Sequence, residues 1–208
     1  MALEDRFREA LGAQAGRSAG GGSGEPGGVV ESYDVLVSPR VFVRIVRQPD
    51  GSFLYEVNEP LVDDFTRELV SWLEGRLVTD ARLYGEVAGS PLEDAIVVLY
   101  GLAGRRALKL SRAWRKRLPQ GYNVEGAALS AAYYVARDYV GLGRLEPLVR
   151  DRFVEDITCN GAGLPVYVYH SKYEWLRTTI VFSGEELERV VQVLGLRIGR
   201  APTLARPV

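Results

Sequence analysis

The sequence predicts an α+β protein, in which an N-terminal β-hairpin and a helical subdomain precede a small antiparallel β-sheet with one helix. Three observations carry this prediction. Short β-branched and aromatic runs lie on both sides of a long central region, apolar residues in that region recur at helical spacing, and turn or capping residues separate the segments. We therefore assign the hairpin and helices to residues 29–140 and the second sheet to residues 141–208, with Gly141-Leu142-Gly143 as the junction.

Residues 1–28 are predicted to form a disordered, glycine-rich tail. The stretch 12–28 has eight glycines among seventeen residues. Its apolar surface is too small to offset the entropy that ordering would cost. A short helix over residues 3–11, tethered by this stretch, is the alternative interpretation.

Two strands joined by a tight turn follow the tail. Residues 40–47 partly alternate apolar and charged side chains, and residues 52–58 form a second run of this kind. Between them lies Gln48-Pro49-Asp50-Gly51, in which Pro presets φ and Gly tolerates a positive φ. The pattern predicts a β-hairpin that ends before Pro60.

Apolar residues at spacings of three and four predict three helices between Pro60 and Gly141. Ser90-Pro91-Leu92-Glu93 has the pattern of a capping box at the start of the second helix, and Asn123 that of an N-cap for the third. The alanine-rich face of the third helix predicts close packing against another helix. The apolar positions are Leu61, Phe65, Leu69, Trp72 or Leu73, and Leu77; then Ile96, Leu99, Ala103, Ala107, Leu110, Trp114 and Leu118; then Ala127, Ala128, Ala131, Ala132, Val135 and Tyr139.

The last part of the chain reads as three strands and a helix. The strands are predicted at residues 154–159, 164–170 and 173–182, with a reversal at Asn160-Gly161-Ala162-Gly163. Ser183 and Glu186 have capping-box spacing. The helix that follows is expected to pack its apolar face on the sheet. That face consists of Leu187, Val190, Val191, Leu194 and Ile198.

Composition excludes several classes of protein. A formal net charge of -1 and a pI near 6.0 give no global attraction to nucleic acid or anionic lipid. Cys159 is the single cysteine, so an internal disulfide is impossible, and the sequence predicts it to be a small buried hydrophobic residue. The longest apolar run, residues 95–104, is about half of what a membrane helix requires. No signal peptide is evident, and a cytoplasmic location is expected.

The motifs of common catalytic sites are missing from the sequence. No Gly-Lys pair exists, so a phosphate-binding loop is excluded, and Gly141-Leu142-Gly143 lacks the third glycine of a dinucleotide fingerprint. One histidine and one cysteine give little basis for a zinc site or a Cys/His nucleophile pair. His170 is predicted to be a strand residue with a satisfied ring nitrogen.

Two clusters permit more than one interpretation. Arg105 to Arg117 contains seven basic residues and no acidic one, which suits contacts with phosphates or an acidic protein, but also a solvated helix face or a subunit interface. The second cluster is suited to stacking on an adenine or to packing in a core. It consists of Tyr167, Tyr169, Tyr173 and Trp175.

Four ordered segments carry a resemblance to a known family. They are Gly141-Leu142-Gly143-Arg144-Leu145-Glu146-Pro147-Leu148-Val149-Arg150-Asp151, Val154-Glu155-Asp156-Ile157-Thr158-Cys159-Asn160-Gly161, Leu164-Pro165-Val166-Tyr167-Val168-Tyr169-His170, and Tyr173 to Phe182. Together with Tyr55-Glu56-Val57-Asn58-Glu59-Pro60-Leu61 upstream, they resemble the N-domain of archaeal type II/IV secretion-system ATPases, the motors of pilus and archaellum assembly. Arg152 departs from the family, which usually has Pro there.

The resemblance implies a PAS-like domain within the ring-forming N-terminal region of a hexameric, cytoplasmic motor. In such motors ATP and Mg bind with a separate ATPase core, whose motifs this chain lacks, so no catalytic or metal residue is expected here. Arg197, Arg200 and Arg206 are candidates for phosphate contacts, because they lie where the N-domain leads toward that core. The implied partners are further copies of the chain and a polytopic membrane platform protein at the inner face of the membrane.

Two other functions remain open at this stage. One is a stand-alone adapter that binds a secretion complex, and the DNA sequence beyond Val208 would separate it from the motor. The other is a nucleic-acid-binding module that uses Arg105 to Arg117, which the negative net charge disfavours.

Overall fold

The structure, a computed structural model, describes residues 28–197. Contacts divide these residues into two compact units. The helical unit comprises residues 37–40 and 60–143, and the sheet unit comprises residues 28–36, 41–59 and 144–197. The α+β class predicted from the sequence is confirmed, and whether the predicted parts 29–140 and 141–208 act as separate domains stays a prediction. The predicted tail and Ile198 lie outside the described residues, apart from Gly28.

The sheet unit contains one sheet of six strands in the order β1-β2-β3-β6-β5-β4. The strands are β1 (Val29–Leu36), β2 (Val41–Arg47), β3 (Phe53–Asn58), β4 (Val154–Cys159), β5 (Pro165–His170) and β6 (Glu174–Val181). Neighbouring strands are antiparallel except for β3 and β6, which run parallel, with Leu54 opposite Arg177 and Tyr55 opposite Thr178. The predicted antiparallel arrangement of β4, β5 and β6 is confirmed, and β6 also pairs with β3, so the hairpin and these strands form one mixed sheet. Local sequence patterns specify where each strand lies. Which strand pairs with a given edge, here β6 with β3, depends on contacts between residues far apart in sequence.

Both turns predicted in the sheet are present. The β2–β3 hairpin closes with Gln48 N–H donating to Ser52 O at 2.8 Å, and Gly51 has a φ of 85°. Between β4 and β5, Gly161 and Gly163 adopt φ values of 136° and 76°. These positive values explain why glycines stand at the reversals.

One face of the sheet is buried and the other is open. Along β6, Leu176, Thr178 and Ile180 are buried, whereas the alternate residues are exposed. The alternation continues in β5 and follows from the two-residue period of a strand. The buried face also contains Val43, Ile45, Tyr55, Val166, Val168 and His170.

Two helices complete the sheet unit. After a 3₁₀ turn at Gly143–Leu145, α5 (Glu146–Arg150) contacts β1 and β4. The capping box of the last helix (Gly184–Arg197, α6 in chain order) is confirmed, since Ser183 N–H donates to Glu186 Oε2 at 2.8 Å and Glu186 N–H donates to Ser183 Oγ at 3.2 Å. The predicted apolar face of this helix is only partly covered, with Leu187 and Val190 half-buried. Val191 and Leu194 are 40% and 38% exposed, because apolar spacing defines a face of a helix but not the surface that covers it.

The helical unit consists of α1 (Asp64–Thr79), α2 (Ala81–Ala88), α3 (Leu92–Trp114) and α4 (Val124–Tyr139). The predicted stripe of α1 is buried at Phe65, Leu69, Leu73 and Leu77. Leu61 is 92% exposed and precedes the helix, whose N-cap is Asp63. The sequence did not predict α2, which begins where Asp80 accepts a hydrogen bond from Leu83 N–H at 3.1 Å.

Of the two caps predicted at the starts of α3 and α4, one is confirmed and the other is wrong. Asn123 caps α4 as predicted, with its Oδ1 accepting from Gly126 N–H at 2.8 Å. Ser90 does not cap α3, because its hydroxyl group donates to Glu86 O at 2.7 Å, and Pro91 occupies the N-cap position. The predicted close packing of the alanine face is confirmed by extensive α3–α4 contact and by buried alanines. These are Ala127, Ala128, Ala131, Ala132 and Ala136.

Candidate functional site

A buried hydrogen-bond network lies on the core face of the sheet unit. Asp151, the residue after α5, accepts the hydroxyl groups of Tyr33 and Tyr55 on Oδ2, each at 2.6 Å, and Phe153 N–H on Oδ1 at 2.9 Å. The Tyr33 oxygen is also 3.1 Å from His170 Nε2. We call Tyr33, Tyr55, Asp151 and His170 the Asp151 network.

The hydrogen bonds assign the tautomer of His170. Its Nδ1 accepts from Lys172 N–H at 3.1 Å, so the proton of the neutral ring is on Nε2. Nε2–H then donates to the hydroxyl oxygen of Tyr33, whose own proton goes to Asp151. Both ring nitrogens are therefore satisfied, as the sequence predicted.

Burial and the central carboxylate set the protonation of the network. Burial is the largest cause that raises the pKa of both Tyr33 and Tyr55, and the nearby Asp151 adds to it. Burial also lowers the pKa of His170, more than the Asp151 charge raises it. The tyrosines remain protonated donors and the histidine remains neutral, so the network holds β1, β3, β5 and the end of α5 together.

An open groove of about 640 Å³ lies at the hairpin turn of the sheet unit. We call it the turn groove. Its lining includes Phe53 of β3, Tyr167 of β5, and Trp175 and Arg177 of β6, with Asp50 at the turn. Asp50 Oδ1 accepts Ser52 N–H at 2.9 Å and the Ser52 hydroxyl group at 2.6 Å, which fixes the turn. The lining thus combines aromatic rings with one cationic side chain, a composition that is common at binding surfaces.

The aromatic cluster of the sequence is split between core and surface. Trp175 is 53% exposed on the open face, where its ring meets Tyr169 edge-on at 5.4 Å between centroids. Tyr167 is half-buried on the same face. Tyr173 instead packs against Phe53 and His170. Packing therefore accounts for Tyr173, and whether the rings on the open face stack on an adenine stays a prediction.

Comparisons with known proteins find similarity to only part of the chain. No known family profile matches it. Uncharacterized protein MJ1288 of Methanocaldococcus jannaschii is 43% identical over 77 residues, which make up 36% of this chain and 31% of that protein. Uncharacterized protein MJ0900 of the same organism is 39% identical over 77 residues, or 36% of this chain and 14% of its own length. Uncharacterized protein MJ0781 of this organism is 32% identical over 59 residues, which make up 28% of this chain and 8% of that protein.

In each case the match spans less than a third of the relative. Each similarity therefore concerns a part of a longer protein. Their names state no activity.

The predicted phosphate-contacting arginines are only partly within the described residues. Arg197 is exposed at the last residue of α6. Arg200 and Arg206 lie outside the described residues. Whether the three share a site stays a prediction.

Cys159 contradicts the prediction of a buried hydrophobic residue. Its thiol is exposed at the end of the edge strand β4, with Sγ 3.9 Å from Gly161 O. An edge strand is covered on one side only, and the sequence does not state that β4 is an edge.

Within residues 28–197 no cluster of His, Cys, Asp and Glu side chains is suited to hold a metal ion. None of the helices in this range is long and apolar enough to cross a membrane. The Asp151 network was missed by sequence reasoning. The alternation of Phe53, Tyr55 and Val57 in β3 was a signal that Tyr55 points inward, but nothing local indicated that Asp151 is buried.

Proposed function

We propose that this chain is the N-terminal, ring-forming and non-catalytic region of a hexameric ATPase that drives secretion or type IV filament assembly. The observation that carries the proposal is the ordered run of segments from Gly141 to Phe182 that resemble the N-domain of these motors. In the structure these segments, from Arg144 onward, are consecutive parts of the sheet unit and include α5, β4, β5 and β6.

The Asp151 network supports the proposal. Tyr55, Asp151 and His170 come from three different segments that carry the resemblance, and the fourth member, Tyr33, joins them from β1. The residues that look like the family therefore meet in one buried cluster. A shared fold requires such cooperation between separate segments.

The comparisons support a modular role. The matched stretches of 77, 77 and 59 residues are small parts of longer proteins. Short matches within longer chains are what a regulatory or ring-forming module would give.

The proposal assigns ATP hydrolysis to a core outside this chain. The sequence has no Gly-Lys pair with which to build a phosphate-binding loop. ATP and Mg would bind mainly to that core. Arg197, Arg200 and Arg206 would approach the phosphates from this side, since guanidinium groups neutralise phosphate charge in such reactions. A polytopic membrane platform protein would be the partner at the inner face of the membrane.

The test is reconstitution with a separately expressed ATPase core from an archaeal secretion motor. We expect the 208-residue chain alone to be inactive, and a mixture with the core to form rings, detected by light scattering, that hydrolyse ATP faster than the core alone. Arg197→Gln should lower this turnover at least about tenfold, because removing an arginine finger costs more than that. The matched control is Arg189→Gln, which changes an exposed arginine of the same helix.

Two results would count against the motor. One is turnover by the purified chain, and the other is the absence of any complex with the core at concentrations of about 100 µM, which corresponds to weak binding.

A stand-alone adapter is the second candidate, and the turn groove favours it. Exposed Trp and Arg side chains are enriched where proteins bind one another, and Trp175 and Arg177 both lie there. An adapter would bind an assembled secretion complex without changing its ATP turnover. Trp175→Ala should weaken that binding at least about tenfold, and should leave assembly with an isolated core unchanged.

A further inference from the structure

The C-terminal half of α3 and the turn after it carry positive charge that no carboxylate neutralises. Six of the seven basic residues between Arg105 and Arg117 are exposed, and Arg106 is half-buried. In the described part of the chain none of the seven forms an ion pair. Several arginines elsewhere do have acidic partners. These pairs are Arg44–Glu56, Arg67–Asp64, Arg76–Asp80, Arg137–Asp138, Arg144–Glu186 and Arg150–Glu146.

The exposed cations form a line rather than a scatter. Arg105, Lys109 and Arg112 are spaced by four and three residues, so they lie on one face of α3 and span about 10 Å along it. Arg115, Lys116 and Arg117 extend the charge past the last helical residue, Trp114. We call the surface formed by the seven basic residues the basic surface.

The helix dipole accounts for only part of this arrangement. Cations near a helix C-terminus are stabilised within the last turn. This covers Arg112 and the residues after it. Arg105 and Lys109 lie further back along α3, and their positions remain without an intramolecular reason.

An exposed apolar side chain lies among the cations. Leu108 is 59% exposed, and it is three residues after Arg105 and four before Arg112. Residues at these spacings are neighbours on a helix surface. Apolar and basic side chains side by side suit the interface of an anionic bilayer, where the apolar group enters the headgroup boundary and the cations meet phosphates.

The nearby tryptophans do not offer a platform for unpaired bases. The guanidinium of Arg106 lies 5.7 Å from the centroid of Trp72, and that of Arg117 lies 5.4 Å from the centroid of Trp114. Trp114 is engaged further, since its Nε1–H donates to Glu68 at 2.9 Å. Binding of single strands normally uses free aromatic rings, so these contacts favour lipid over nucleic acid.

We propose that the basic surface docks this protein on anionic phospholipid, with Leu108 entering the headgroup region. The contact has to be close, because the net charge of the chain is -1 and salt limits the reach of the local charge to about 10 Å. The proposal does not depend on the motor function, since it concerns a surface of the helical unit alone.

The test is flotation of the full chain with two kinds of vesicles. One is pure phosphatidylcholine, and the other contains about 30% phosphatidylglycerol, a fraction that gives a negative surface potential. We expect binding only to the anionic vesicles. The triple variant Arg105→Gln, Lys109→Gln, Arg112→Gln should bind about a hundredfold more weakly, because each cation near such a surface contributes about fivefold. The matched control is the triple variant Arg82→Gln, Arg152→Gln, Arg189→Gln, which removes three exposed arginines outside the basic surface. It should bind the anionic vesicles as the parent protein does.

Leu108→Gln distinguishes insertion of an apolar side chain into the headgroup region from binding by electrostatic attraction alone. It leaves every charge in place, and we expect at least about threefold weaker vesicle binding, in line with the loss of a partly buried apolar group. Binding of the protein to a duplex and to a single-stranded DNA oligonucleotide, measured by fluorescence anisotropy, tests nucleic acid as the alternative ligand. Three results would overturn the proposal. The protein does not bind anionic vesicles, or the control triple variant loses as much vesicle binding as the α3 triple variant. The third is that the protein binds either DNA more tightly than the vesicles at the same salt concentration.

Discussion

The hydroxyl group of Tyr55 donates a hydrogen bond of 2.6 Å to Oδ2 of Asp151, the same oxygen that accepts the hydroxyl group of Tyr33. The two tyrosines and the carboxylate are far apart in sequence and lie in β1, β3 and the end of α5. Asp151 and Tyr55 are buried, so their polar atoms depend on one another for hydrogen bonds.

Removal of the Tyr55 hydroxyl group should destabilise the protein. Tyr55→Phe leaves the buried carboxylate of Asp151 with one donor fewer. We expect the free energy of unfolding to fall by about 1.5–3 kcal/mol, the range for hydrogen bonds to charged groups. Urea denaturation would measure it. Tyr167→Phe, on the open face, is the control and should change stability by less than about 0.5 kcal/mol. Equal effects of the two variants would contradict the role of the network.

Stability should decrease as the pH falls below about 6.5. Burial lowers the pKa of His170 in the folded protein, whereas the unfolded chain takes up the proton near pH 6.5. Between the two pKa values the unfolded state binds more protons, so the contribution of the neutral ring is present above pH 6.5 and is lost as the pH falls through the folded pKa. For one proton the slope is at most about 1.4 kcal/mol per pH unit.

His170 is the single histidine of the chain, which makes this effect easy to isolate. Urea denaturation of the parent protein and of His170→Gln would be compared from about pH 8 to about pH 5.5, above the range where carboxylates titrate. We expect a slope in the parent protein and a flat profile in the variant. The same slope in both would show that other groups are responsible.

Enlarging a buried residue of α4 should destabilise the helical unit. Ala132 is fully buried in α4, which packs against both α1 and α3, so a longer side chain has to displace its neighbours. Ala132→Leu should cost about 1–3 kcal/mol, typical of overpacked cores. Thermal unfolding would detect the loss. Ala113→Leu introduces the same side chain at an exposed position of α3 and should leave the midpoint nearly unchanged.

The thiol of Cys159 should react in the native protein. It is exposed at the end of β4 and is the only thiol in the chain. We expect an aromatic disulfide reagent to modify about one equivalent without denaturant, since access and thiolate fraction control the rate. Cys159→Ser should abolish the signal. Reaction that requires urea would mean that the thiol is buried, as the sequence had suggested.

Sequence reasoning located the local elements of the fold and missed how they assemble. Asn123 and Ser183 act as the caps that were predicted, because a cap involves residues only three apart. Ser90 has the same pattern but bonds back to α2, whose existence the sequence had not indicated. A short-range signal is therefore dependable where no neighbouring element competes for the same polar group.

The candidate sites show the same division. The basic residues of α3 are visible in the sequence as a charge run, and the Gln48–Gly51 turn beside the groove follows from its Pro and Gly. The groove itself requires β3 to lie parallel to β6, which brings Trp175 and Arg177 beside the hairpin turn. Likewise, the pairing of Asp151 with two distant tyrosines has no signature within any one segment.

The sequence by itself determined the α+β class, the hairpin, the apolar stripes of the helices and the two caps, because these depend on residues within a few positions of one another. Tertiary structure decided the parallel pairing of β3 with β6, the Asp151 network, the exposure of Cys159 and the exposure of Val191 and Leu194 on α6. Each of these depends on which distant segment lies next to a given edge or face. That choice is made by the summed burial of apolar surface and the pairing of buried polar groups across the whole unit, and no local pattern contains it.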